Sequence, residues 1–460
     1  MHRYIYLLFF ILLFGGLKAK ETIISGKLPN ATPGEYIRLI AYRDFISWDA
    51  YTLTGTLADD QGNFVLKADV KDVMYVQIDA GFRRVDFYLE PGRQYDIILK
   101  KQLLQETSSY GQNNTLSLEI RSPENSLTAQ IGEINDLYNS FMSNRIQDSY
   151  GRMSRKLAGE LETILTEKAG ETAHPYAQDY AGYIIASLKL MSGSQSKNNL
   201  AVEYLAGQPI LYDNIEYMGF FHSFFSKFLI STPSIVSTQD LFRLVNEELT
   251  YKPLLDTMLR AGYLNDIPLR ELVLIKNLQE LYFFPGFNQS KVLLFLEQLS
   301  TRASSVENRM IAANTAKAIS RGSTHEPAPK TELTDFSGKT IPFPPSPGKY
   351  TYLCLIDPGQ LASLAELNIL PEIIKTHSDR VTFVCVNAVA GDQVFKNLAQ
   401  HNPNGPIYAL PKDLISLISN YPVTRLPWFI LIDRKGNISA NPAPSPSEDL
   451  AGYLNRMLKD

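Results

Sequence analysis

Two cysteines, Cys354 and Cys385, are the only sulfur nucleophiles in this chain of 460 residues. Just beyond the first, the stretch "LIDPGQLASLAEL" puts Asp357, Gln360 and Ser363 where a buried strand gives way to a helix. A cysteine attacks a disulfide only as the thiolate, which forms in electropositive, partly exposed places such as helix N-termini. Both cysteines instead lie inside apolar runs, "YLCLI" and "VTFVCVNA", where the expectation is a buried free thiol. If those runs are neighbouring strands, the two residues fall within disulfide reach in an oxidising compartment. Side chains on parallel strands point the same way, however, which suits the bond poorly.

At the junction, glutamine offers an amide that is neither nucleophilic nor ionisable near neutral pH. Serine needs an adjacent base, and no histidine is near Ser363 in sequence, so only a distant His377 or His401 is left for that role. Asp357 opens the turn and is expected to cap the helix rather than to move protons. The six histidines are scattered. No Cys/His/Asp cluster has metal-ligand spacing and no glycine-rich phosphate loop is present, so neither a metal nor a cofactor is expected. A formal net charge of −4 gives no electrostatic invitation to nucleic acid.

The elements that must position these residues fall into three stretches. The N-terminus, His2-Arg3 followed by "YIYLLFFILLFGGL" and Lys18-Ala19, has the length and flanks of a secretory signal over residues 1–19. The run is short of the roughly 20 residues needed to span a bilayer. No later segment is apolar enough to cross, and an exported, periplasmic protein is expected. From 20 to 105 the pattern alternates with period two between Gly, Pro, Asn and Asp turns, which argues for an all-β sandwich or barrel. From 125 to 321 the period becomes helical: Leu127, Ile131, Ile134, Tyr138 and Phe141 share one face. "SPENS" and "SSVEN" read as helix caps. The aromatic stretch "YMGFFHSFFSKF" over 217–228 reads as a helix buried between helices, or as a binding surface. Residues 322–334 are polar and proline-containing, as an interdomain linker would be.

Over 335–460 strands alternate with helices, then a hairpin at Arg434-Lys435-Gly436 and a last helix follow. The segments "TDFSGKTIPFPPSPGKYTYLCLID", "RVTFVCVNA" and "RLPWFILIDRKGNI" resemble the exported TlpA/ResA-like branch of the thioredoxin superfamily. The turns "DDQGNF" and "LEPGRQ" of the first stretch are similar to those of the small β-domain that precedes such domains in exported Bacteroidota proteins. The resemblance implies a multidomain chain: an N-terminal all-β sandwich, an all-α middle domain and a C-terminal α/β thioredoxin-like domain. It also puts Gln360 and Ser363 at the two positions of the family's Cys-x-x-Cys pair, and makes Pro427 its cis-proline. Leu426 would then offer its backbone to an extended substrate, and Trp428 would wall the groove or pack in the core.

With both sulfur positions lost, the expectation is a thioredoxin-like protein without a catalytic pair. It would bind a peptide or protein partner in the cell envelope, or act as a scaffold, through Asp357, Gln360, Ser363, Leu426, Pro427 and Trp428. Two other readings stay open: an oxidoreductase using Cys354 and Cys385 unconventionally, and ligand binding by the aromatic-rich helical stretch.

Overall fold

The computed structural model describes residues 19–29, 31–32, 34–101, 116–145, 154–172, 174–320, 327–344, 348–389, 391–402, 404–421, 423 and 425–458. The expected signal segment, all but Ala19, and residues 322–326 of the expected linker lie outside the described residues.

The first unit is a sandwich of two four-stranded sheets. Strands β1 (Lys20–Lys27), β4 (Asn63–Val70), β7 (Gln94–Lys101) and β8 (Leu116–Ser122) form one sheet in the order β4-β1-β7-β8. Strands β2 (Tyr36–Tyr42), β3 (Ala50–Leu57), β5 (Met74–Ala80) and β6 (Arg83–Leu89) form the other in the order β3-β2-β5-β6. Strand β4 shows the cause: "NFVLKADV" alternates exposed and buried at every position, so Phe64, Leu66, Ala68 and Val70 face the core with Ile24, Val76 and Phe87. The β unit was expected to end near 105, but β8 carries it to Ser122. Leu116, Leu118 and Ile120 pack against the core, and the strand pairs antiparallel along β7, covering backbone groups that would otherwise form an open edge.

The middle of the chain is helical. It contains α1 (Leu127–Arg145), α2 (Arg155–Glu171), α3 (Pro175–Ser192) and α4 (Lys197–Tyr204). Then come α5 (Ile215–Phe224), α6 (Phe228–Ser231), α7 (Thr238–Asn246) and α8 (Lys252–Thr257). The last three are α9 (Ile267–Tyr282), α10 (Gln289–Arg302) and α11 (Val306–Ser320). Side-chain caps start many of them: Ser126, Ser154, Asn214, Asp266, Asn288 and Ser305 each accept from an amide two or three residues on. Tyr217, Met218, Phe220, Phe221 and Phe224 of α5 are buried, so the aromatic stretch is core, not a surface. The β2–β3 connection enters the same core through Phe45 and Ile46. Its backbone is held from α5 by His222 (2.6 Å to the Phe45 carbonyl) and from α9 by Gln279 (3.2 Å to the Ile46 carbonyl).

The C-terminal unit is a seven-stranded mixed sheet ordered β10-β9-β13-β12-β11-β14-β15. The strands are β9 (Leu333–Thr334), β10 (Thr340–Ile341), β11 (Tyr350–Ile356), β12 (Val381–Asn387), β13 (Ile407–Pro411), β14 (Trp428–Ile432) and β15 (Ile438–Ala440). The helices are α12 (Leu361–His377), α13 (Gln393–His401), α14 (Leu414–Asn420) and α15 (Leu450–Met457). Strands β11, β12 and β13 run parallel and β14 antiparallel to β11. Near-continuous apolar runs allow burial on both faces. Leu353, Leu355, Val384 and Ile430 face α14, whereas Tyr352, Cys354, Cys385 and Leu431 face α12 and α15. Residues 327–334 were expected to be linker, yet they are bound into this unit. The Ala328 amide donates to the Gly436 carbonyl, Tyr421 to the Pro329 carbonyl, and Leu333 is a buried strand residue paired with Pro411. Among the described residues, no helix is long and apolar enough to cross a membrane.

Candidate functional site

The junction is built by β11, a tight turn and α12. Proline at 358 and glycine at 359 end the strand, and the Gln360 amide closes the turn on the Asp357 carbonyl at 3.0 Å. The Asp357 carboxylate accepts from the Gly359 amide at 2.8 Å. It therefore caps the turn and not the helix, as had been expected. The residue at the helix N-cap is Gln360, whose side chain makes no capping bond.

Ser363 lies on the first turn of α12 and is fully buried, its Oγ accepting from the Asp357 amide at 3.2 Å. That bond ties the helix back to the end of β11, a structural use of the hydroxyl. Of the two histidines that sequence reasoning held in reserve, His377 is too far away to serve it as a base. His377 is in the last turn of α12, fourteen residues on and so about 21 Å along the helix axis at 1.5 Å per residue. It is bonded there to the Ile373 carbonyl and the Asn455 side chain. His401 ends α13 and is bonded to the Asn397 carbonyl. Among the described residues, neither histidine is hydrogen-bonded to Ser363.

Across β11 stands β14, with Leu355 opposite Trp428 in register. Leu426 and Pro427 therefore flank the Asp357 turn, and the Leu426–Pro427 bond is cis. Leu426 is only 5% exposed and belongs to the same buried cluster as Tyr421 and Val423. Trp428 is half-buried against the same cluster and its Nε1–H donates to Asn441 Oδ1 at 2.8 Å. Of the six residues in the expected groove, Asp357, Gln360, Pro427 and Trp428 are partly accessible, whereas Ser363 and Leu426 are buried. Sequence reasoning missed their neighbour Leu361, which is 85% exposed at the start of α12, an apolar side chain in water.

Both thiols lie elsewhere. Cys354 and Cys385 are register partners on β11 and β12, both fully buried and both free. Burial raises the pKa of each well above the ordinary thiol range, aided at Cys354 by the Glu366 carboxylate and at Cys385 by Cys354. The thiolate needed for exchange is suppressed at both. The junction thus offers an amide, a tethered hydroxyl and an exposed leucine, and no group that can attack a disulfide.

Sequence reasoning also gave no sign that the sandwich reaches this region. Tyr36 of β2 and Phe82, at the tip of the β5–β6 hairpin, pack into the cluster formed by Leu355, Ala388 and Ile418. The one local hint is the two-residue loop Gly81-Phe82, both at positive φ (59° and 63°), in which a large apolar residue occupies a place that favours glycine or asparagine.

No family model matches the chain and no curated protein matches it. Several solved structures are similar to part of it, most of them from Bacteroides. One is the thioredoxin domain of a thiol-disulfide oxidoreductase from Bacteroides vulgatus, 19% identical, covering 30% of this chain and 98% of that one with a TM-score of 0.27. A thiol:disulfide interchange protein from a Bacteroides species is 18% identical over 30% of this chain and 91% of its own, also at 0.27. A thioredoxin-like protein from Bacteroides caccae is 15% identical over 57% of this chain and 93% of its own, at 0.33.

Proposed function

We propose that the chain is an exported, thioredoxin-like protein of the cell envelope that has lost thiol–disulfide exchange and works by binding a peptide or protein partner, or as a scaffold for one. A β-sandwich reaching Ser122, a helical unit over 127–320 and an α/β unit from 327 onward would be its working parts. The apolar N-terminal stretch with its basic flanks supports export.

One observation carries the loss of exchange. The start of α12 presents Gln360 and a buried Ser363, while the chain's two thiols are sealed in the sheet behind it. Leu361, Gln360 and Pro427 make up the surface offered to a partner. The thiols' burial counts against an unconventional use of Cys354 and Cys385, and the burial of the α5 aromatics removes the surface on which a helical ligand site was imagined. Disulfide reduction by the full chain with a dithiol regenerant tests the reading. Turnover no higher than the dithiol background is expected from both the native protein and its Cys354→Ala/Cys385→Ala variant. Turnover above background in either would overturn it.

A further inference from the structure

A cavity of about 360 Å3 lies where the β5–β6 hairpin meets the C-terminal sheet. It is at the small end of the range for small-molecule sites, about 300–1,000 Å3. Its floor is apolar, made by Phe82, Val389, Leu414 and Ile418. It opens on the β12 side of the Asp357 turn, and Leu426, Pro427 and Trp428 take no part in it.

The charges of its walls do not cancel locally. On the sandwich side, Lys101 is paired with Glu35 at 2.6 Å, and Asp79 is paired with Arg38 at 3.3 Å and Arg84 at 3.0 Å. Arg83 is left over: among the described residues its guanidinium meets no carboxylate, and its Nε is buried without a hydrogen-bond partner. The facing wall carries Asp357 and Asp392, also without a cation among the described residues. Asp357 spends one oxygen on the Gly359 amide, and Asp392, at the start of α13, makes no side-chain capping bond. A guanidinium whose Nε is buried without a partner is costly, and a carboxylate is the group whose geometry its fork of donors matches.

We propose that this cavity binds a small zwitterion of the amino-acid or dipeptide class with an apolar side chain. The carboxylate would sit on Arg83, the ammonium toward Asp357 and Asp392, and the side chain on the Phe82–Ile418 floor. The proposal is independent of the partner surface at Leu361, and either can fail without the other.

Calorimetric titration of the full chain tests it, with leucine and Leu-Leu as probes beside C-terminally amidated and N-acetylated Leu-Leu. Saturable binding of leucine supports a free amino acid as ligand, and preference for Leu-Leu supports a short peptide. In either case amidation, and separately Arg83→Gln, weakens binding about tenfold to a hundredfold, the worth of a charge-assisted bond. Asp392→Asn weakens the free-amine probe and leaves the acetylated one unchanged. Because Arg83 has no hydrogen-bond or ion-pair partner among the described residues, Arg83→Gln is expected to keep the unfolding midpoint of the unliganded chain. Should it unfold, the amidated probe on the native chain carries the same test. No binding of any probe at millimolar concentration overturns the proposal, as does an affinity indifferent to amidation, acetylation and Arg83→Gln.

Discussion

Replacing Phe82 by alanine and by glycine separates two terms that the hairpin tip combines. The side chain is 3% exposed, packed with Leu355 and Ile418 of the C-terminal unit, and the Arg38 guanidinium lies 5.5 Å from its ring centroid. Truncating a buried phenylalanine to alanine costs about 3–5 kcal/mol, so docking of the sandwich on the C-terminal sheet should weaken at least about a hundredfold. Phe82 also holds φ at 63°, a left-handed conformation that costs a residue with a Cβ about 1 kcal/mol or more and costs glycine almost nothing. Glycine should therefore destabilise less than alanine by about 0.5–1 kcal/mol, once its greater freedom in the unfolded chain is deducted. In a strand or helix interior the order would be the reverse. The assay is urea unfolding followed by the fluorescence of Trp428, in a Trp48→Phe background so that one tryptophan reports. Alanine more stable than glycine would refute the strain term. Both variants matching the native midpoint would refute the anchor.

Two further outcomes follow from the buried groups. A colourless-to-coloured thiol titration of the native protein should count no reactive thiol and, after unfolding, two; any rapid reaction in the folded state contradicts the burial of Cys354 and Cys385. His222 is held neutral by desolvation, its Nε2–H donating to the Phe45 carbonyl, with Lys276, Glu280 and Asp44 as the surrounding charges. Its folded pKa lies below the unfolded value of about 6.5. The unfolded chain thus binds more protons just below that pH, and stability falls as pH drops through about 6.5 until the folded pKa is passed. Urea midpoints at pH 7.5 and 5.5 should differ more for the native chain than for His222→Gln, and equal differences would exclude His222 as a source.

Much of this architecture was readable locally. The face Leu127, Ile131, Ile134 is buried and Tyr138 and Phe141 pack beside it, because helical spacing alone decides which side chains can meet the core. The caps at Ser126 and Ser305 were equally visible, since their bonds span three residues. Helix α2 was not: only Ala158, Leu161 and Leu165 of its seventeen residues are buried, too narrow a stripe to stand out from a charged sequence. The alternation in β8 was present but lay beyond the expected boundary of the β unit. At the site, the loss of both sulfur positions could be read from residue types. The covering of Leu426, the tether on Ser363 and the arrival of Phe82 could not, because each depends on contacts between segments far apart in the chain. The left-over charge of Arg83 is of the same kind: Asp79 and Arg84 beside it find partners and, among the described residues, it does not, which only the assembled walls reveal.

The proposed function rests on one claim: exchange is absent because the junction at Asp357–Ser363 presents no sulfur. Installing it tests this most directly, by Gln360→Cys with Ser363→Cys in the full chain, with Cys354 and Cys385 left in place. The account predicts disulfide reductase turnover that the native chain does not show, with the thiol at 360 acidified below the ordinary value of about 8.5 by the start of α12. Two introduced thiols that titrate near that ordinary value in a folded protein, with turnover no higher than the dithiol background, would contradict it.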